Sequence, residues 1–320
     1  MKRPLQCFVQ NGYEYLNRHS PAADMGTIEK DTVHSSRRPK LLTYDEIQDW
    51  SRDNEFIHTG YRPEKPEYKD IFLSLTYLHN ETCNIYTHLI GAILVWPVAY
   101  IYMQILAEPQ YRNVLPADYV MFTVFFFSCE FCLLSSAVYH LMQPHSHKVE
   151  QLWHVMDLTG IAVIIAGTFV AAIYYFFICQ PAFQILHWVI TIVSGSACVA
   201  LISIPKFRTL RWRTLRVVAF FLFGLSAFVP LLHGVGLHGS NYMFDYMGMK
   251  WYLIELSLYA TGTLIFATRP PERFAPGKFD LFGSSHQIFH LLILAAMWVN
   301  CLALTQSFKS AHTLDLCHIR

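Results

Sequence analysis

The chain has 320 residues, of which 53% are hydrophobic and only 15% charged. A soluble domain carries about a quarter charged residues, so this composition points away from a soluble fold. A net charge of +1, with no basic stripe outside the loops, argues against a nucleic-acid partner. The apolar residues gather in blocks of about 18 to 24, the length that crosses roughly 30 Å of hydrocarbon as a helix.

In chain order, residues 1–40 mix charges with Ser, Pro and His and are expected to form a disordered cytosolic tail. The opening residues lack the apolar run of a signal peptide, so the first membrane helix is expected to act as the insertion signal. Residues 41–85 include Trp50, Phe56, Tyr61 and Tyr68 and read as a cytosolic, interfacial segment. A short amphipathic helix is expected there over Asp70–His79. Residues 86–306 hold seven predicted spans: Tyr86–Leu106, Tyr119–Leu141, Val155–Ile178, Ala182–Ile204, Val217–Val235, Trp251–Thr268 and His286–Gln306. Pro230 is expected to kink the fifth. Arg269, Pro270, Pro271 and Glu272 stop the sixth. Residues 307–320 form a short extracytosolic tail. The predicted fold is thus an all-α integral membrane bundle of seven helices.

Lys and Arg set the orientation. The loops sharing a side with the N-terminus carry Lys148, Lys206, Arg208, Arg211, Arg213, Arg216, Arg269, Arg273 and Lys278. The opposite side carries only Arg112, Lys250, Lys309 and Arg320. This predicts a cytosolic N-terminus and an extracytosolic C-terminus, the reverse of a G-protein-coupled receptor. An opsin-like retinal site is disfavoured as well, because the seventh span has no internal lysine.

Titratable groups inside spans are costly and are therefore functional candidates. His286 and His290 stand i, i+4 at the start of span seven, one turn apart on one helix face, as in zinc-binding helices. Alone, the pair reads equally well as two interfacial histidines. His140 ends span two at the same predicted depth, with Ser136 one turn before it. Asp157 lies one turn into span three, where a first-turn acid is also favoured by the helix dipole. Three imidazoles with an open position and a nearby carboxylate form the pattern of a catalytic zinc site. Other polar groups fit less well. His145, His147 and His154 crowd the loop after span two and are expected to be exposed. His187 and His233 read as packing or interfacial residues. Glu130 and Glu255 could hydrogen-bond across helices or line a wet cavity. Cys129 and Cys132 form a C-x-x-C in mid-span and read as packing residues, so the eight cysteines say little about redox compartment.

Four motifs carry a family resemblance: D-N-E-F-I-H-T-G-Y-R at 53–62, H-N-E-T-C-N-I-Y-T-H at 79–88, S-S-A-V-Y-H at 135–140, and P-E-R-F-A-P-G-K-F-D-L-F-G-S-S-H-Q-I-F-H at 271–290. On these the chain resembles the progestin and adipoQ receptor family, related to the haemolysin III proteins, over roughly residues 41–306. It looks closest to the adiponectin-receptor-like branch with its fungal members. The resemblance implies a zinc ion (Zn2+) bound by His140, His286 and His290. It also implies an Asp157 that contacts the zinc-bound water, a motif serine at Ser136, and a lipid-accommodating cavity. It implies ceramidase-like activity in some members, and assigns no role to Glu130.

Three functions are weighed on these grounds. The first is a receptor-like zinc hydrolase cutting a lipid amide, with ceramide the leading substrate, and with Asp157 and Ser136 as catalytic residues. The second is a receptor whose zinc is purely structural. The third, a metal transporter, is disfavoured, since neither repeats nor interrupted helix pairs are evident. Expected partners are a membrane lipid (ceramide or fatty acid), an extracellular protein or steroid, and a second copy of the chain. The plasma membrane and internal membranes are both compatible with the sequence.

Overall fold

The structure is a computed structural model that describes residues 40–111, 113–314 and 316–317. The expected tail over 1–40 therefore lies, apart from Lys40, outside the described residues. The described chain from Lys40 onward is helical apart from its connections. One isolated antiparallel bridge, Leu42 to Tyr61, pins the interfacial segment on itself. Helix α1 (Tyr68–Leu73) starts two residues before the expected amphipathic helix and passes into a 3-10 turn over Ser74–Thr76. It buries Ile71 against Ile85 and Leu141.

The bundle follows. It consists of α2 (Thr82–Leu106), α3 (Pro116–Met142), α4 (His147–Phe176), α5 (Pro181–Ser203), α6 (Arg213–Leu225), α7 (Phe228–His238), the short α8 (Ser240–Asp245), α9 (Met249–Thr268) and α10 (Ser285–Thr313). Among the described residues six stretches are long and apolar enough to cross a membrane, α6 and α7 counting together within Leu210–His238. The expected sixth span, α9, has 20 residues, but Lys250, Trp251, Tyr252 and Glu255 make it less apolar than the others. Large apolar side chains point outward along the bundle, among them Trp96, Phe127, Val193 and Leu264. Such a surface suits lipid and not water.

Several boundaries differ from those expected. The third span, expected from Val155, starts at His147 as α4. Asp157 therefore stands beyond the first turn, the part of a helix where the dipole favours an acid. The fifth stretch is broken at Ser226 and Ala227 into α6 and α7, not merely kinked. Pro230 has no N–H to donate to the Ser226 carbonyl four residues back. That carbonyl is instead satisfied by the N–H of Val229 at 3.0 Å. The last helix runs on to Thr313, beyond the expected stop at Gln306, because Ser307 and Phe308 still pack inside the bundle.

Helices α3 and α4 approach closely through glycines. A Cβ on Gly160 would stand 2.6 Å from Ser135 Oγ and 3.0 Å from Cys132 Cα. A Cβ on Gly167 would meet Ser128 Oγ at 2.0 Å. Small residues let helix backbones come together without a solvent-driven core. Because the two helices are antiparallel, contact at Gly160 sets the preceding turn of α4, which carries Asp157, beside the following turn of α3, which carries Ser136. Cys129 and Cys132 are buried free thiols in this packed face.

Candidate metal centre

His140 lies in the last turn of α3, where helix carbonyls lack intrahelical partners. Arg62 supplies them. Its Nη2 donates to the His140 carbonyl at 2.6 Å, and its Nη1 to the Leu141 carbonyl at 3.0 Å and to Ser74 Oγ at 2.9 Å. Burial pulls this guanidinium down to about 10 against the pull of the Glu81 carboxylate. The motif at 53–62 thus ends in the cap of a metal-site helix.

The start of α10 is fixed from the other side. Glu272 accepts the N–H of Ser285 at 2.8 Å, bonds the Ser285 hydroxyl, and accepts Asn54 Nδ2 at 3.1 Å. A carboxylate at a helix N-terminus satisfies orphan donors and complements the dipole. Asp280 accepts the N–H groups of His58 and Thr59 at 3.0 and 2.8 Å and the Thr59 hydroxyl at 2.7 Å. The long motif at 271–290 therefore clamps the 53–62 segment and sets the register of His286 and His290.

The two ends bring the three imidazoles together. His140, His286 and His290 each offer one nitrogen, and these atoms lie within 4.8 Å of one another. Ring centroids are 4.8 to 5.0 Å apart. All three expected ligands thus meet laterally, a proximity that sequence could not supply.

The outer shell fixes which nitrogen faces inward. His140 Nδ1 stands 2.8 Å from Glu81 Oε2, so the ring donates Nδ1–H to the carboxylate. Its Nε2 is buried without a partner. His290 Nδ1 stands 3.2 Å from Thr87 Oγ1, a hydroxyl whose own proton goes to the Cys83 carbonyl at 2.7 Å. His290 Nδ1 therefore donates as well, which leaves Nε2 as its lone-pair atom. These tautomers are assigned from the partners, and they are the ones a metal site needs. Burial pushes the Glu81 carboxyl up, but hydrogen bonds from His140 and Asn84 hold it well below the usual range. His88 lies flat on His290, with centroids 3.6 Å apart and planes 6° from parallel.

Asp157 and Ser136 line a cavity of about 430 Å³ that His286, His290 and His88 also line. The cavity extends among α4, α6, α7, α9 and α10 along side chains such as Ile164, Phe220, Leu231 and Ile293. The histidines after span two and those on α5 and α7 do not join the cluster. His145 packs on Tyr68, His147 stacks on Trp50 and His154 stacks on Tyr139. His187 bonds His233 ring to ring at 2.8 Å, amid Phe177 and Phe183. Glu255 lines the cavity, and Glu130 is not among its lining residues.

The sequence reading passed over Glu81, Thr87 and His88. Their signal was present, since all three sit in the motif at 79–88 with spacings that put Glu81, Asn84 and His88 on one face of α2. It also passed over a disulfide, Cys179–Cys317, which ties the connection after α4 to the chain just past α10.

Comparison with known proteins gives the chain's family. The chain is 34% identical over 269 residues to the ADIPOR-like receptor IZH1 of Eremothecium gossypii, covering 84% of this chain and 85% of that protein. It is 32% identical over 273 residues to the ADIPOR-like receptor IZH2 of Saccharomyces cerevisiae, covering 85% and 86%. It is 34% identical over 261 residues to the adiponectin receptor protein of Drosophila melanogaster, covering 82% of this chain and 58% of that longer protein. The pattern described as haemolysin-III related matches residues 76–301, which takes in His140, Asp157, His286 and His290. This is a multi-pass membrane protein of the adiponectin-receptor-like kind, and the chain belongs to the haemolysin-III related family.

Proposed function

We propose that the protein is a receptor-like, zinc-dependent hydrolase of lipid amides, with ceramide-type amides the leading substrate class. The observation that carries this reading is the buried three-histidine cluster opening onto an apolar cavity with Asp157 and Ser136 in its wall. The donor set fits zinc, because three neutral imidazoles leave one tetrahedral position open. The orphaned Nε2 of His140 fits it too, since a buried nitrogen without a partner is costly unless something binds it.

When bound, zinc would supply a Lewis acid and make water nucleophilic near neutral pH. The protein's own groups do the rest. His140, His286 and His290 would hold the ion, with Glu81 and Thr87 keeping two of the rings in the ligating tautomer. Asp157 takes a proton from the attacking water and returns it to the leaving amine nitrogen. Amide and water thereby become fatty acid and amine. Ser136 donates its hydroxyl to the oxygen that gains charge as water adds. The apolar cavity holds the acyl chain and excludes bulk water.

We read α9 as a seventh span despite its polar face, because Glu255 points into the bundle and is 2% exposed. The disulfide supports an extracytosolic C-terminus, since disulfides persist in oxidising compartments.

The test compares two variants in reconstituted bilayers. His140→Ala is expected to lose zinc and fatty-acid release together. Asp157→Asn is expected to keep zinc while release falls at least about a hundredfold. Unchanged release from Asp157→Asn would remove Asp157 as the base, and full release from zinc-free His140→Ala would leave the zinc with a structural role only.

A further inference from the structure

Above the imidazoles the cavity lining is mostly hydrocarbon, with Thr168 and Thr263 among it, and a carboxylate and two phenols gather on α9. Tyr252, Glu255 and Tyr259 share one face of α9 and all three line the cavity. Glu255 Oε2 accepts Asn300 Nδ2 at 2.8 Å. Its other oxygen, Oε1, is buried without a partner, as are the Tyr259 hydroxyl and Asn300 Oδ1. The proposed hydrolysis uses none of these groups.

Their depth follows from two helices. Asn300 is ten residues beyond His290 on α10. Phe266, whose ring is 5.2 Å from that of His286, is eleven residues beyond Glu255 on α9. At 1.5 Å per residue both place the polar cluster about 15 Å from the imidazoles. A saturated acyl chain running that distance would leave Oε1 and the phenol unpaired, which is costly for buried polar groups. A carboxyl group at this level is itself expensive and calls for a partner.

We propose that Glu255 and Tyr259 form a hydroxyl subsite, which selects lipids whose acyl chain carries a mid-chain hydroxyl about 15 Å from the carbonyl carbon. The ligand hydroxyl donates to Glu255 Oε1 and accepts from the Tyr259 phenol. This rests on the reading of the cavity as an acyl-chain site, and it narrows the substrate class to hydroxylated amides.

Ricinoleate and oleate differ by one mid-chain hydroxyl and make the probe pair. The full-length protein in nanodiscs is offered both acids in competition, and the retained acid is read by native mass spectrometry. Wild type is expected to favour ricinoleate by about three- to tenfold, the net worth of one or two hydrogen bonds. Glu255→Leu and, separately, Tyr259→Phe are expected to bring the ratio near one. Tyr259→Phe removes a single oxygen, so it decides the matter where Glu255→Leu fails to fold. A ratio near one in wild type, a preference that survives both variants, or retention of neither acid overturns the subsite. Cleavage of ricinoleoyl and oleoyl sphingosine is measured in parallel. Preserved preference in binding without any cleavage overturns the hydrolase reading and leaves the subsite standing. Cleavage without preference does the opposite.

Discussion

Glu81 Oε2 lies 2.8 Å from Nδ1 of His140, across 59 residues of chain and at the meeting of α2 with α3. A carboxylate on the far nitrogen raises the basicity of a ligating imidazole and fixes its orientation. Glu81→Gln keeps the size and removes the charge. Zinc affinity is expected to fall about 10- to 100-fold, measured by competition with a fluorescent chelator. Affinity equal to wild type would make Glu81 a packing residue only.

Arg62 is buried and bonds the last carbonyls of α3. Arg62→Ala leaves those carbonyls unpaired and is expected to cost about 3 kcal/mol. A lowered unfolding temperature and a loss of bound metal are expected together in detergent, since the same turn carries His140. Arg62→Lys restores the charge without the fork and is expected to recover only part of the loss.

His79 Nδ1 accepts the N–H of Glu81 at 3.1 Å, which requires that nitrogen to be unprotonated. Burial, with the nearby Arg62 charge, pulls His79 from 6.5 to about 3. A group whose folded value is depressed favours folding above its unfolded value and loses that contribution as pH falls. Stability is therefore expected to decline between about pH 6.5 and 3, followed by thermal unfolding across that window. His79→Asn is expected to flatten the decline. An unaltered slope would assign it to other groups.

The Cys179–Cys317 disulfide spans a sequence separation of 138 residues and lies at the end of the bundle remote from the metal centre. With the C-terminus outside, both thiols stay blocked to a membrane-impermeant maleimide until an impermeant reductant is added to intact cells. For protein shown to be at the cell surface, labelling that needs permeabilised cells instead would reverse the orientation.

Much of the site was legible in the chain. The i, i+4 pair His286 and His290, the helix-end His140, and Asp157 near the start of its apolar run stand out because ionisable groups are rare in such runs. Glu81 was hidden for the same reason, since it lies just outside a span, where a carboxylate is unremarkable. His88 shares a face of α2 with Glu81 and Asn84 by its spacing, but which helix that face meets is a matter of lateral packing. The cysteines gave no hint of pairing, because Cys317 lies in a polar tail whose path only the fold decides.

By itself the sequence determined that the protein lives in a membrane and which residue types stand near one predicted depth. Both are local properties: the cost of polar groups in hydrocarbon and the 3.6-residue turn act within a single segment. Tertiary structure alone decided that α3 and α10 present their imidazoles to each other and that Glu81 and Thr87 choose the tautomers. It also decided that Glu255 and Tyr259 face the same cavity as Asp157. Those relations depend on lateral packing, set by close approaches such as Gly160 against Cys132 and by the clamp from Glu272 and Asp280, which no single helix encodes.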